Sequence, residues 1–91
     1  MFQPVWIPVD VYMPATVESD YMFRFHPSLD GGTETTHAGR LAHITVPAGK
    51  TPASVLMATV ADIFPLYADT APSETGMLRN GHGQIIGGFI G

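Results

Sequence analysis

The 91-residue chain has no cysteine and little charge. Without cysteine, neither a disulfide nor a thiolate zinc site can hold the fold together. Charged residues make up only 13 % of the chain, against about a quarter in typical soluble domains, whereas hydrophobic residues make up 45 %. One domain of this size buries a modest core. We therefore expect support from self-association or from a partner that covers part of the weakly charged surface.

Positive charge is especially scarce. The four basic residues, Arg24, Arg40, Lys50 and Arg79, are scattered singly, and the formal net charge is −4. Because a nucleic-acid binder needs a basic patch to neutralise phosphates, the sequence predicts no direct binding of DNA or RNA. No apolar run approaches the roughly 18 residues of a membrane span, and no cationic segment precedes an apolar one at the N-terminus. The sequence therefore predicts neither a membrane protein nor an exported one.

Proline and glycine are abundant, with eight and ten copies, and they favour strands and turns over long helices. Alternating hydrophobic residues predict strands at residues 21–25, 40–46 and 84–90. Asn80-Gly81 is typical of a two-residue hairpin turn. In the last strand, Gly87 and Gly88 indicate a bulge or a close approach of another backbone segment.

Residues 54–69 fit two structures. The spacing of Leu56, Val60 and Ile63 is compatible with a helix, whereas the β-rich end of the segment favours a strand. Pro65 would disrupt a helix interior. We therefore predict two strands with a break near residues 61–62, with the helix as the alternative.

The opening segment alternates β-branched residues with others up to Val11, but Pro8 interrupts it. Proline has no N–H, so it cannot serve in the middle of a strand that pairs on both sides. We interpret residues 1–20 as an extended arm that adds a strand to a neighbouring subunit, with residues 21–91 forming the β-rich domain. The alternative is an ordinary first strand packed on its own domain. The predicted interface residues are Phe2, Val5, Trp6, Ile7, Val9, Val11 and Tyr12.

The sequence contains no recognisable motif of a metal site, a catalytic site or a phosphate-binding loop. His37 and His43 are six residues apart, which suits neither a helical nor a strand pair of metal ligands. The acidic residues are spread through predicted turns, no serine lies in a GxSxG motif, and RNGHGQ lacks the GK[ST] ending of a phosphate loop. We expect no catalytic residue, no metal site and no cofactor, and hence a protein that is not an enzyme.

The second half of the chain resembles a known family. VPAGKTPASVLMATVADIFPLYADTAPSETG, followed by GQIIGGFIG, is similar to the pattern of head-decoration (cement) proteins of lambda-like tailed bacteriophages. Residues 47–49 match the family's turn, and residues 55–59, 63–67 and 85–90 match its strands. The likeness covers residues 46–91. The chain is short for the family, VLMAT lacks the glycine often found before the turn, and residues 1–45 match no part of the pattern.

The resemblance implies a β-rich fold, and together with the residue pattern it predicts a small, mainly β, single-domain barrel or sandwich-like fold with an extended N-terminal arm and little helix. It also implies a homotrimer that is made in the host cytoplasm, binds the major capsid protein on the outer surface of the virion and stabilises the capsid by bridging its subunits. Two other classes remain open. One is a cellular β-rich interaction module that acts as a small subunit of a larger complex, and the other is a histidine-dependent metalloenzyme or ligand-binding protein.

Overall fold

The computed structural model describes residues 5–33 and 39–91, which form one antiparallel sheet and one α-helix. The sheet order is β2-β1-β4-β3, so within these residues the sheet is open and not closed into a barrel. The mainly β prediction is broadly confirmed, whereas the barrel or sandwich is corrected, because a helix covers the sheet where a sandwich would have a second sheet. The elements are β1 (Ser19–Phe25), β2 (Leu41–Val46), α1 (Pro52–Ile63), β3 (Leu78–Arg79) and β4 (Ile85–Ile90), with 3-10 turns at Pro27–Asp30 and Pro65–Tyr67.

The three strands predicted from alternation are confirmed as β1, β2 and β4. On the inner face, which α1 covers, Phe23 of β1 lies opposite Phe89 of β4, and their ring centres are 5.2 Å apart in an edge-to-face arrangement. Phe25 makes a similar contact with Phe64, just beyond the helix. The fully buried hydrophobic side chains of this core are Val11, Phe23, Phe25, Ile44, Val46, Leu56, Val60, Leu78 and Phe89.

The prediction of two strands at residues 54–69 is wrong, because α1 occupies most of that segment. Thr51 caps the helix by accepting a hydrogen bond from the Ser54 N–H at 3.3 Å, and Pro52 takes the first helical position, where no N–H is needed. Pro65 lies after the last helical residue and so breaks no helical hydrogen bond. Because α1 has 12 residues, the expectation of little helix is corrected as well. No described helix is long and apolar enough to cross a membrane.

The hairpin between β3 and β4 is present, but its turn is longer than predicted. The N–H of Asn80 donates to the Gln84 carbonyl at 2.9 Å, which leaves three residues in the loop. The positive φ of 79° falls at Gly83 and not at Gly81. The Asn80 side-chain oxygen accepts from the N–H groups of His82 and Gln84. A three-residue loop ending in a left-handed glycine therefore replaces the predicted two-residue turn.

Candidate interaction surface

The described part of the opening segment lies along its own domain. Its odd-numbered residues donate backbone hydrogen bonds inward: Ile7 N–H to Phe89 O at 3.1 Å, Val9 N–H to Thr75 O at 3.1 Å and Val11 N–H to Glu74 O at 3.4 Å. Trp6 also forms an antiparallel bridge with Ile90 of β4. The expectation of an arm extended towards a neighbour is therefore corrected, because residues 5–11 pack along their own domain. This is close to the alternative of a first strand packed on its own domain, although the segment has one isolated bridge and is not a regular strand.

Pro8 occupies an outward-facing position of this segment. Because the N–H groups of Ile7 and Val9 point into the domain, the backbone position between them points away from it. The missing N–H of proline therefore removes no bond to the domain. This explains how a strand-like segment accommodates a proline: it pairs on one edge only.

The predicted interface residues divide between core and surface. Val9 is 7 % exposed and Val11 is fully buried, so these two are corrected to core residues, and Ile7 is partly buried against the same core. Val5, Trp6 and Tyr12 are 66 %, 43 % and 50 % exposed. The Tyr12 hydroxyl donates to the Pro72 carbonyl at 2.6 Å, which anchors that ring to its own chain. Phe2 lies outside the described residues.

Trp6 is part of an apolar surface on the outer face of the sheet, the face opposite α1. Directly opposed residues share a face, so Met22 of β1, Ile90 of β4 and Trp6 form one row across the sheet. Met77 and Ile85 join Trp6 around a cleft of about 250 Å³. We call these five residues, Trp6, Met22, Met77, Ile85 and Ile90, the Trp6 surface. Exposed fractions of 37–43 % for Trp6, Met22 and Ile85 leave large apolar side chains in contact with solvent.

A buried cation lies beneath this surface. Arg24 is 1 % exposed, lines the cleft, and places its guanidinium carbon 5.9 Å from the centre of the Trp6 ring. A guanidinium at this distance from an indole is attracted to it electrostatically, most strongly when water is excluded. This contact restricts the orientation of the Trp6 ring. The indole is therefore held in place before any partner arrives, which reduces the entropy that is lost on binding.

The glycines of β4 make room for this arrangement. A Cβ at Gly88 would lie 2.7 Å from the Met77 sulfur and 2.9 Å from the Trp6 ring, and a Cβ at Gly87 would lie 2.5 Å from the Phe23 ring. The glycines are thus approached closely from both faces of the strand, mainly by side chains where the sequence predicted backbone. Sequence reasoning missed Met77 and Ile85 as members of the surface. The paired glycines were the signal that bulky side chains cover this strand.

The histidines in the described part of the chain do not form a metal centre. The Nδ1 atom of His26 lies 2.8 Å from the hydroxyl of Ser28, and the Nε2 atom of His43 lies 3.5 Å from a carboxylate oxygen of Asp20. Within residues 5–33 and 39–91, no group of three potential ligands comes together. His37 lies outside these ranges. His26 and His43 each contact a polar side chain of the same chain instead.

A second concavity lies between the 3-10 turn at Pro65–Tyr67 and the β3-β4 hairpin. It has a volume of about 510 Å³, and its described lining combines apolar side chains with polar ones but contains no carboxylate or guanidinium. At its rim, Leu66 is 95 % exposed. Asn80 and Gln84, which also line it, bond to each other at 2.9 Å. In the described lining, His26 and Tyr67 are of types that can take part in acid-base chemistry, but no carboxylate accompanies them.

Comparison of the chain with models of protein families, with curated proteins and with solved structures found no match. The structure also alters the likeness to the decoration family. Residues 55–59, which match a strand of that family, lie in α1, and residues 63–67 form the helix end and a 3-10 turn. Only the closing strand of the three matched strands is extended. The Trp6 surface is therefore the feature of the described residues from which a function can be inferred.

Proposed function

We propose that the protein is a non-enzymatic structural module that binds another protein through the Trp6 surface, and that its specific role is to decorate a viral capsid. The observation that carries the proposal is a solvent-exposed tryptophan held over a buried arginine, with methionine and isoleucine side chains around it. Clusters of exposed apolar side chains mark interaction sites, and tryptophan is the residue most enriched among the strongest contacts.

The composition of the surface suits a protein partner. Methionine side chains are flexible and polarisable, so Met22 and Met77 can adjust to the shape of an opposing surface while Trp6 provides a rigid anchor. Among the described residues that line the cleft, the permanent charge is that of Arg24, which is 1 % exposed, and His26 lies beside it. An apolar partner surface would therefore meet no exposed permanent charge there, and water would be displaced at little electrostatic cost.

Decoration of a capsid requires binding energy alone. Each bound copy that touches two capsid subunits adds contacts that must break before those subunits separate. The turn at residues 47–49 and the closing strand still resemble the decoration family, and the weakly charged chain suits a protein that has much of its surface covered. The cellular interaction module considered above would use the same surface on another partner.

Cryo-electron microscopy of particles from the virus that encodes the chain provides the direct test. The expected result is density for the protein on the outer capsid surface, with the Trp6 surface against a capsid subunit. Particles that carry the protein at no external position would overturn the capsid role. If a purified non-capsid protein then binds through Trp6, the cellular interaction module becomes the better-supported function.

A pair of variants tests the surface itself. Trp6→Ala should weaken binding to the particles by about 2 kcal/mol or more, roughly 30-fold, because interface tryptophans commonly contribute that much. Leu66→Ala is the matched control, since Leu66 is more exposed and lies beside the other concavity. Co-sedimentation with particles measures both. Unchanged binding of Trp6→Ala would show that attachment occurs elsewhere.

A further inference from the structure

The two edges of the sheet are built differently. One edge carries the opening segment, with Pro8 facing outward, and the two-residue strand β3 with its register shift. Proline, short strands and bulges are features that prevent further strand addition. The other edge is β2, six residues of sequence LAHITV without proline, lysine, glutamate or a bulge. Among the described residues, only the β2 edge therefore lacks a feature that blocks pairing.

The hydrogen-bond pattern shows which groups of β2 point outward. The Phe25 N–H donates to the Arg40 carbonyl at 2.8 Å, so these two residues form a hydrogen-bonded pair. Such pairs alternate along an antiparallel ladder, which makes Ala42, Ile44 and Val46 the residues bonded to β1. The N–H and C=O groups of Leu41, His43 and Thr45 consequently point away from the sheet. Within the described residues, no strand borders them on that side.

The edge is complementary to itself. A two-fold axis through His43 would place Leu41 of one copy opposite Thr45 of the other, and all three outward residues would become hydrogen-bonded pairs. Six backbone hydrogen bonds result, two for each pair. No residue of β2 is acidic or basic apart from His43, so no permanent like charges face each other across the axis. Leu41, which is 49 % exposed, would gain a neighbour on the outer face.

We propose that the protein forms a two-fold dimer in which the β2 strands of two copies pair antiparallel about His43, giving one continuous eight-stranded sheet. The occupant is a second copy because the two-fold register satisfies every outward donor and acceptor of the strand. No third copy can add to the sheet, since the opposite edge of each copy is blocked by the opening segment with Pro8 and by the short strand β3. The proposal concerns a different edge from the Trp6 surface and does not depend on the proposed function.

Backbone hydrogen bonding is tested by a substitution at the centre of the edge. His43→Pro removes an N–H that makes no bond within the sheet, so the monomer should keep its fold, as outward-facing edge positions tolerate proline. His43→Thr retains the N–H and is the control. In sedimentation equilibrium, the full chain and His43→Thr should dimerise, and His43→Pro should raise the dimer dissociation constant at least tenfold. A monomeric or trimeric parent chain, or a His43→Pro variant that dimerises normally, would overturn the proposal.

The register is tested by cross-linking, which the absence of cysteine makes simple. Directly opposed residues have Cα atoms about 5.5 Å apart, within the range that a disulfide spans. His43→Cys should therefore form a covalent dimer on mild oxidation. Leu41→Cys alone and Thr45→Cys alone should not, whereas a mixture of these two variants should. Efficient cross-linking of Leu41→Cys alone, or none with His43→Cys, would contradict the two-fold register even if His43→Pro failed to fold.

Discussion

Gly87 and Gly88 occupy two neighbouring positions of β4 where aromatic rings approach from opposite faces. The Phe23 ring lies over Gly87 on the inner face, and the Trp6 ring lies over Gly88 on the outer face. Glycine in a strand normally weakens it, because no side chain packs there and the unfolded chain is more flexible. Here the missing side chains are replaced by rings from other parts of the chain. Gly87 therefore borders the core, and Gly88 borders the candidate interaction surface.

We expect Gly87→Val to lower the free energy of unfolding by about 2 kcal/mol or more. The new Cβ would lie 2.5 Å from the Phe23 ring and 2.9 Å from the Arg24 carbonyl oxygen, and overpacking of this kind commonly costs 1–3 kcal/mol. Urea denaturation measures the change. Gly81→Ala is the control, because a Cβ there meets no atom within 4 Å. Equal stability of the two variants would show that β4 shifts freely.

Val11 and Val5 compare a buried position of the opening segment with an exposed one. Val11→Ala should destabilise the fold by about 2 kcal/mol, since it leaves a cavity in a fully buried position. Val5→Ala should change stability by less than about 0.5 kcal/mol, because that side chain is 66 % exposed. Thermal unfolding followed by circular dichroism compares them. The reverse order would mean that the segment does not pack as described.

At the scale of elements, alternation of hydrophobic residues was sufficient to predict β1, β2 and β4. The helix was missed because Pro65 was weighed as an interior residue, although it lies outside the helix. Thr51-Pro52 is a recognisable helix start, with a capping side chain followed by a residue that needs no N–H. The hydrophobic spacing of Leu56 and Val60 agreed with it. The local sequence alone was therefore sufficient to predict the helix α1.

We expect Thr51→Ala to cost about 1 kcal/mol of stability. The Thr51 hydroxyl accepts a hydrogen bond from the Ser54 N–H, which also donates to the Thr51 carbonyl at 3.2 Å, so loss of the hydroxyl removes one of the two acceptors of this helix donor. Thr51→Ser, which keeps the hydroxyl, should retain most of the stability. Chemical denaturation of both variants provides the measurement. A Thr51→Ser variant as unstable as Thr51→Ala would assign the effect to the lost methyl group.

At the scale of the whole molecule, the sequence could not predict where the opening segment packs. Alternation puts Trp6 and Tyr12 on the face opposite Val9 and Val11, but all four were predicted as interface residues, and the partner strand, β4, lies at the other end of the chain. Met77 and Ile85 complete the Trp6 surface through the same long-range pairing. Contacts between residues so distant in sequence leave no local periodicity. Which residues of the opening segment share a face could therefore be predicted from the sequence, whereas the location of the Trp6 surface could not.

The sheet order also keeps the two proposed contacts apart. The Trp6 segment pairs with β4, and β1 separates β4 from β2, so the Trp6 segment lies three strand spacings from the β2 edge. A dimer through β2 would then present two Trp6 segments about 34 Å apart, at roughly 4.8 Å per strand. Two such surfaces on one rigid sheet would bind a repetitive target more tightly than one.

The pairing of the opening segment with β4 also has a consequence for the order of folding. β1, β2 and α1 are near one another in sequence, whereas contacts of residues 5–11 with residues 74–91 close a loop of almost the whole chain, which is entropically unfavourable early in folding. We expect this pairing to form after the transition state. Val11→Ala should then accelerate unfolding while leaving the refolding rate nearly unchanged.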